Sequence, residues 1–260
     1  MNLNIDEIKK NINIKCEDLK IFIYNTTDST NARAKDAAEI SNVKTAVFLA
    51  NEQTAGKGRL GRSFVSKNGC GLFMSILTKT PYPANEALNL TTYMATIAAD
   101  VVEKSCDIKI DIKWVNDLYV NGKKLAGILT EGKTNPDGIV AYSIIGIGIN
   151  LLKQTYPEEI KNIATDIETE TGKKIDINKL AGELVSSFFK NISLVGSKKI
   201  ARKYKKRSFI IGKEVKVMKL SEEYDAKVID VLDNCALKII TSDGTEEILS
   251  TGDVSIRTTK

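Results

Sequence analysis

Histidine is absent from this 260-residue sequence, and the absence excludes a large block of chemistry. Ser-His-Asp triads, Cys-His nucleophile pairs and His-ligated metal centres all depend on an imidazole that titrates near neutrality. Cysteine is sparse: Cys16, Cys70, Cys106 and Cys235 are far apart and form no C-x-x-C. Neither a zinc ribbon nor a dithiol redox motif fits that spacing, and scattered reduced thiols point to the cytoplasm. With 4 prolines, 17 glycines and 42% hydrophobic residues, the composition is not that of a collagen-like, low-complexity or disordered chain. No apolar stretch follows Lys9 and Lys10 as a secretory signal requires. The longest apolar run, 142–152, is interrupted by Gly146, Gly148 and Asn150 and is too short to span a bilayer. The expectation is a soluble, cytoplasmic protein with no membrane partner.

Charge is mildly positive, with 38 Lys and Arg against 33 Asp and Glu, or +5. Most cations are dispersed. One dense run, Arg202 to Arg207, reads as a solvated helix end favoured by the macrodipole, or as an electrostatic guide for an anionic partner. Specific DNA binding, which concentrates cations and base-reading groups on one element, is not expected.

The pattern along the chain is that of an α+β protein. Strands are expected at 20–25, 45–50 and 71–78, and a helix at 32–40 follows the capping residues Asp28-Ser29-Thr30-Asn31. Leu90, Met94, Ile97 and Val101 recur at helical spacing and predict a core-facing helix over 85–105. Ile108, Ile110, Ile112 and Trp114 alternate with polar residues, the period of a half-buried strand. Asn121-Gly122 is a two-residue hairpin signal between 118–120 and 125–131, and Asn135-Pro136-Asp137-Gly138 turns the chain into a strand at 139–149. Leu180, Leu184, Phe188 and Ile192 mark a second amphipathic helix. Short strands at 212–217, 226–232, 236–241 and 246–249 predict a small, closed or partly closed β-barrel at the C-terminal end. The expected division is therefore 1–207 for the catalytic domain and 208–260 for the barrel.

Gly56-Lys57-Gly58-Arg59-Leu60-Gly61-Arg62-Ser63 matches two nucleotide-loop patterns superficially. A dinucleotide fingerprint needs a helix opening at the last glycine and an acidic residue about 20 positions on. Here Ser63 to Gly69 is poor helix material and position 81 is Pro81. A phosphate loop needs the same helix, and Arg62 stands where its lysine belongs. What is left is a flexible loop carrying Lys57, Arg59, Arg62 and Lys67, suited to wrapping a polyanion or a mixed anhydride. Further on, the hairpin returns Lys124 toward Asn116-Asp117, and Gly146-Ile147-Gly148-Ile149-Asn150 places glycines in a strand, as a bulge or a close approach demands.

Singly these segments are weak. In one order, Ser29-Thr30-Asn31, Gln53 with the glycine-rich loop, Lys113-Trp114-Val115-Asn116-Asp117, Lys124 to Leu129 and Gly146 to Asn150 resemble the biotin–protein ligases, over about 21–257. The resemblance implies a class II synthetase-like mixed sheet with helices packed on it, plus an SH3-like C-terminal barrel. It implies that biotin and ATP form biotinyl-5′-AMP, and that biotin then passes to a lysine of a carboxylase's biotin carboxyl carrier domain. By that likeness Ser29, Thr30, Asn31 and Gln53 contact biotin, and Lys57, Gly58, Arg59, Lys124 and Gly127 enclose the adenylate. Arg62, Phe64, Asn116, Asp117 and Asn150 lie near the nucleotide, with Mg²⁺ arriving on ATP near Asp117. Lys113 and Arg59 are the catalytic candidates. A fixed cation at Lys113 would stabilise charge building on the α-phosphate, and the attacking carboxylate needs no general base.

Three residues depart from the family pattern: Val115 where proline is usual, Lys57 for arginine, and Phe64 for tryptophan. About 20 residues precede the first strand, too few for the DNA-binding domain of some relatives, so a monofunctional ligase, monomeric or homodimeric, is expected. The alternatives are a lipoate or octanoate ligase or transferase on the related fold, and a nucleic-acid-binding module. For the latter, the segment after Arg207 has only Phe209 and Tyr224 to stack on bases.

Overall fold

The computed structural model describes residues 2–14, 19–40, 43–79, 87–219, 222–250 and 253–256. A seven-stranded mixed sheet is built from β1 (Lys20–Thr27), β2 (Thr45–Gln53), β3 (Gly71–Thr78), β4 (Asp111–Lys113), β5 (Asp117–Val120), β6 (Lys123–Thr134) and β7 (Val140–Asn150). Its order is β1-β2-β3-β7-β6-β5-β4, with β1 and β2 parallel and the remaining pairs antiparallel.

Strand alternation sends successive side chains to two cores. Val47, Leu49, Leu72, Met74 and Ile76 join the larger one, built with α3 (Ala87–Cys106) and α5 (Ile177–Lys190). Ala46, Phe48 and Leu77 join a smaller one with Ala34 and Ala38 of α2 (Thr30–Ile40). The central strands are therefore covered on both faces, which is why β3 is buried throughout and its sequence shows no polar alternation.

Differences from the sequence reading have local causes. Only 111–113 of the alternating stretch pairs as a strand, because β5 offers a three-residue ladder, although the in-out alternation of Ile110, Ile112 and Trp114 is kept. Asn191 ends α5, and Ile192 falls in a short 3-10 turn. Positions 85–86 of the expected helix and Cys16 lie outside the described residues. The Asn121-Gly122 hairpin forms as expected, with both residues at positive φ (49° and 77°). The Trp114–Val115 peptide is cis. Two short helices, α1 (Ile5–Lys10) and α4 (Ile167–Thr171), were not legible in the sequence.

The basic run lies on α6 (Lys198–Arg207), and much of its charge is used internally. Lys203 and Arg207 pair with Asp100, Arg207 also with Glu103, and Lys205 with Asp230. After α6 come β8 (Glu214–Met218), β9 (Glu223–Val231), β10 (Leu237–Thr241), β11 (Glu246–Leu249) and β12 (Asp253–Ile256). They form an antiparallel sheet ordered β11-β10-β9-β8-β12, the small barrel-like unit expected, with one strand more than the sequence indicated. Gly212 has φ 81°, so the first of these strands starts at Glu214, not Gly212.

Two hydrogen bonds fasten the Lys113–Asp117 segment to its surroundings. Trp114 Nε1 donates to the carbonyl of Cys235 in the turn between β9 and β10 (2.9 Å), and the Tyr204 hydroxyl on α6 donates to the carbonyl of Val115 (3.0 Å). Both aromatic rings are buried, each contributing roughly 1.5–3 kcal/mol through apolar area alone.

Candidate active site

The glycines of β7 are explained by what lies against them. A Cβ on Gly146 would sit 2.2 Å from Asn31 Oδ1, and one on Gly148 would sit 2.4 Å from Phe64 Cε1. The strand thus admits one side chain from α2 and one from the glycine-rich loop, the close backbone approach that glycine in a strand permits.

Helix α2 presents its first turn to this place. The Asp28 carboxylate accepts from the Ser29 N–H (2.7 Å) and from Arg33 (3.1 Å). Burial pushes the Asp28 carboxyl up, but the bonds from Ser29, Thr27 and Arg33 outweigh it and hold the group below the usual carboxylate range. Ser29, Thr30 and Asn31 are buried. The Thr30 N–H donates to Gln53 Oε1 at 2.8 Å, which ties the end of β2 to the start of α2.

The glycine-rich loop doubles back as a narrow hairpin. Gly58 N–H donates to the Arg62 carbonyl (2.7 Å) and Phe64 N–H to that of Gly56 (2.9 Å), around a 3-10 turn at Arg59–Gly61. Leu60 and Gly61 take positive φ there. No α-helix follows, as rejection of the two nucleotide-loop patterns requires. Arg59 reaches across to Asn116 (Nη1 to Oδ1, 3.4 Å), whereas Lys67 turns away to the Thr155 carbonyl (2.7 Å). Asn116 is itself fixed by Ile128, donating to its carbonyl (2.8 Å) and accepting from its N–H (2.9 Å).

On the β5–β6 hairpin, Lys124 Nζ lies 2.8 Å from Asp117 Oδ1, the return that the turn geometry predicts. Lys124 also bonds through its backbone to Ile163 (2.7 Å) and Thr165 (2.9 Å), which pins the 160–165 segment beside β6. Asn150 Nδ2 donates to the Thr165 carbonyl from the other side (3.0 Å).

These pieces enclose a cavity of about 420 Å³, a size typical of small-molecule sites. Ser29, Thr30, Asn31, Gln53, Lys57, Gly58, Arg59, Arg62, Phe64, Lys113, Asn116, Asp117, Lys124, Gly127 and Asn150 all line it. Every residue to which the resemblance assigns a ligand contact is thus brought to one place, whereas Lys67, the fourth cation expected to wrap an anion, is not on the lining. Among the lining residues the cations are Lys57, Arg59, Arg62, Lys113 and Lys124, and the only carboxylate is Asp117. Five positive groups against one negative make a cavity that favours anions.

The lining also includes residues the sequence reading missed: Tyr119, Tyr156, Ile160, Ile163, Met218 and Val254. Tyr119 could have been found, because it shares a strand face with Asp117 two positions away. Burial and the Asp117 charge push its phenol well above the ordinary value, and burial with Asp166 does the same to Tyr156. Met218 and Val254 come from the small sheet, and no local pattern announces where that unit sits. Among the described residues no group of three or more His, Cys, Asp or Glu could hold a metal, and no helix is long and apolar enough to cross a membrane.

The mixed sheet with helices packed on it and the small C-terminal antiparallel sheet match the α+β fold of solved protein ligases. The chain belongs to the biotin/lipoate A/B protein ligase family, whose model matches residues 23–150. A biotin–[acetyl-CoA-carboxylase] ligase of Paracoccus denitrificans is 35% identical over 169 residues, covering 62% of this chain and 68% of that protein. The bifunctional ligase/repressor BirA of Bacillus subtilis is 29% identical over 253 residues, covering 95% of this chain and 78% of that protein. Among solved structures, a biotin protein ligase from Aquifex aeolicus in complex with biotin and ATP superposes with a TM-score of 0.76 at 27% identity. That match covers 92% of this chain and 99% of the other.

Proposed function

We propose that this protein is a biotin–protein ligase that activates biotin as biotinyl-5′-AMP and transfers it to a lysine of a biotin carboxyl carrier domain. The observation that carries the reading is the composition of one cavity. Buried neutral hydrogen-bonding side chains (Ser29, Thr30, Asn31) and Gln53 suit a cyclic urea, and five cations suit a carboxylate meeting a triphosphate.

In the first half-reaction the biotin carboxylate attacks the α-phosphorus of ATP. A C–O–P mixed anhydride forms, the α–β phosphoanhydride bond breaks, and pyrophosphate leaves. Charge builds on the non-bridging oxygens, and Lys113 is the cation assigned to meet it, held in place by the anchored Trp114 and Val115 beside it. Phe64, against Gly148 and Gly127, offers a stacking surface for the nucleotide. Lys57 and Arg59 close the glycine-rich hairpin over the adenylate and keep water from it. In the second half-reaction the acceptor amine attacks the acyl carbon, an amide forms, AMP leaves with the bonding pair, and the amine gives up a proton.

Asp117, the one carboxylate on the lining, would hold Mg²⁺ arriving with ATP. The ion's chemistry there is neutralisation of phosphate charge. The described cysteines, Cys70, Cys106 and Cys235, are free, in keeping with work in the cytoplasm.

The test is acid-dependent ATP–pyrophosphate exchange with biotin, lipoate and octanoate in parallel. Exchange with biotin alone is the expected result. Exchange with lipoate instead would assign the chain to the other branch of its family, and none with any acid would remove the adenylation step.

A further inference from the structure

The basic helix α6 divides its charge by direction. Ile200, Ala201 and Tyr204 are buried and fix the inward face. On one flank Lys203 and Arg207 turn to α3 and pair with Asp100 and Glu103. On the other, Lys198 pairs with Asp233 and Lys205 with Asp230 of the small sheet and its β9–β10 turn. That leaves Lys199, Arg202 and Lys206, whose spacing of three and four residues puts them on the face opposite the buried one. All three are exposed, and none forms an ion pair among the described residues. Local physics opposes this stripe. The macrodipole favours Lys206 in the last turn but disfavours Lys198 and Lys199 in the first, where no acid offsets them. Lys199 and Arg202, and Arg202 and Lys206, are neighbours of like charge that repel each other.

An anionic surface brought against the stripe would relieve both costs. The same helix also reaches the catalytic segment with its inward face. Tyr204 bonds to the carbonyl of Val115, and the Phe209 N–H just past α6 donates to that of Ile112 (3.3 Å). The stripe therefore stands about one helix diameter, ~10 Å, from the residues that flank Lys113. We propose that Lys199, Arg202 and Lys206 form a steering surface for an acidic face of the acceptor protein, the biotin carboxyl carrier domain. This rests on the biotin reading, in which a second protein must bring its lysine to the cavity. Steering acts through the field over about a Debye length, ~8 Å at physiological ionic strength, so the stripe need only lie near the docked acceptor. Nucleic acid fits the stripe less well, because the exposed α6 side chains include no aromatic to stack on bases and no amide to read them.

The experiment measures kcat/KM for biotin transfer to the carrier domain of the same organism's acetyl-CoA carboxylase, at low and at high salt. In Lys199→Glu/Arg202→Glu/Lys206→Glu it should fall roughly 10-fold or more at about 20 mM salt and converge with wild type at about 500 mM. Biotin-dependent pyrophosphate exchange should stay at the wild-type rate, which also shows that the variant folds. The control is Lys9→Glu/Lys35→Glu/Lys44→Glu, three exposed lysines away from α6 whose reversal changes the net charge equally. It should keep most of the low-salt kcat/KM. An equal loss in both triple variants would make the effect one of net charge and overturn the proposal. Wild-type kcat/KM in the α6 variant at low salt would overturn it too, and loss there of binding to a random DNA duplex alone would give the stripe to nucleic acid. Each of these leaves the biotin reading intact. A wild-type protein without biotin-dependent exchange would overturn both.

Discussion

The Lys124 ammonium forms an ion pair with Asp117 Oδ1 across the β5–β6 hairpin. The two atoms are 2.8 Å apart, and that oxygen is buried with no hydrogen bond of its own among the described residues. The side chains are 32% and 18% exposed, so the pair is partly screened, and its loss is worth less than that of a fully buried one. Lys124→Ala should lower stability by about 1–3 kcal/mol in urea unfolding, because it strands a carboxylate oxygen. Adding Asp117→Asn should recover part of the loss, and strict additivity in the double-mutant cycle would show the two groups to be uncoupled.

Lys113 is expected to act on the transition state more than on binding. Lys113→Ala should reduce the pyrophosphate-exchange rate by about 10²–10³-fold, with biotin affinity by calorimetry changed little. A matching fall in affinity would make it a binding residue instead.

Arg59 bridges the glycine-rich hairpin to Asn116, so Arg59→Gly removes the tie that closes the loop. The expected result is release of biotinyl-5′-AMP and increased labelling of bystander lysines on an added inert protein, read by streptavidin blot. Unchanged background labelling would relieve Arg59 of the retaining role.

Gly148→Ala should push the Phe64 ring out of place, since its Cβ would come within 2.4 Å of that ring. Overpacking of this kind costs roughly 1–3 kcal/mol, and ATP affinity should fall with it. Shortening the ring in Phe64→Ala/Gly148→Ala should recover stability but not ATP affinity, which separates steric relief from stacking.

Burial pushes the Cys106 thiol up to about 11 and raises that of Cys235, whereas Cys70 is only partly buried. At pH 8 the native protein should therefore alkylate at Cys70 well before Cys106 or Cys235, as mass mapping after iodoacetamide treatment can show. The raised value favours the protonated thiol in the folded state. Its contribution to stability is thus complete below pH 9 and is lost as the pH climbs toward 11.

How much of this was legible depended on whether a signal was local. Strands β2, β3 and β7 announce themselves by apolar runs, and the Asn121-Gly122 turn fixes the partner of β5, so the meeting of Lys124 with Asp117 follows from sequence. Gly146 and Gly148 marked a close approach, but which side chains approach is decided by packing between elements far apart in the chain. Helix α1 has six residues with only Ile8 buried, too short for any period to show. The 156–165 segment is polar and aperiodic, held by backbone bonds to Lys124 that no side-chain pattern encodes. The seat of the small sheet against the cavity was equally invisible, since Met218 and Val254 reach it only through tertiary packing.

The chain has a single tryptophan, and it lies where three parts of the molecule meet. Trp114 is 2% exposed, lines the cavity, follows Lys113 directly and gives its indole N–H to Cys235. Its fluorescence is consequently a built-in gauge with no competing indole. Filling the cavity changes the surroundings of the ring, and lifting the small sheet strips away its hydrogen-bond partner, so one emission spectrum follows both events in the unlabelled protein.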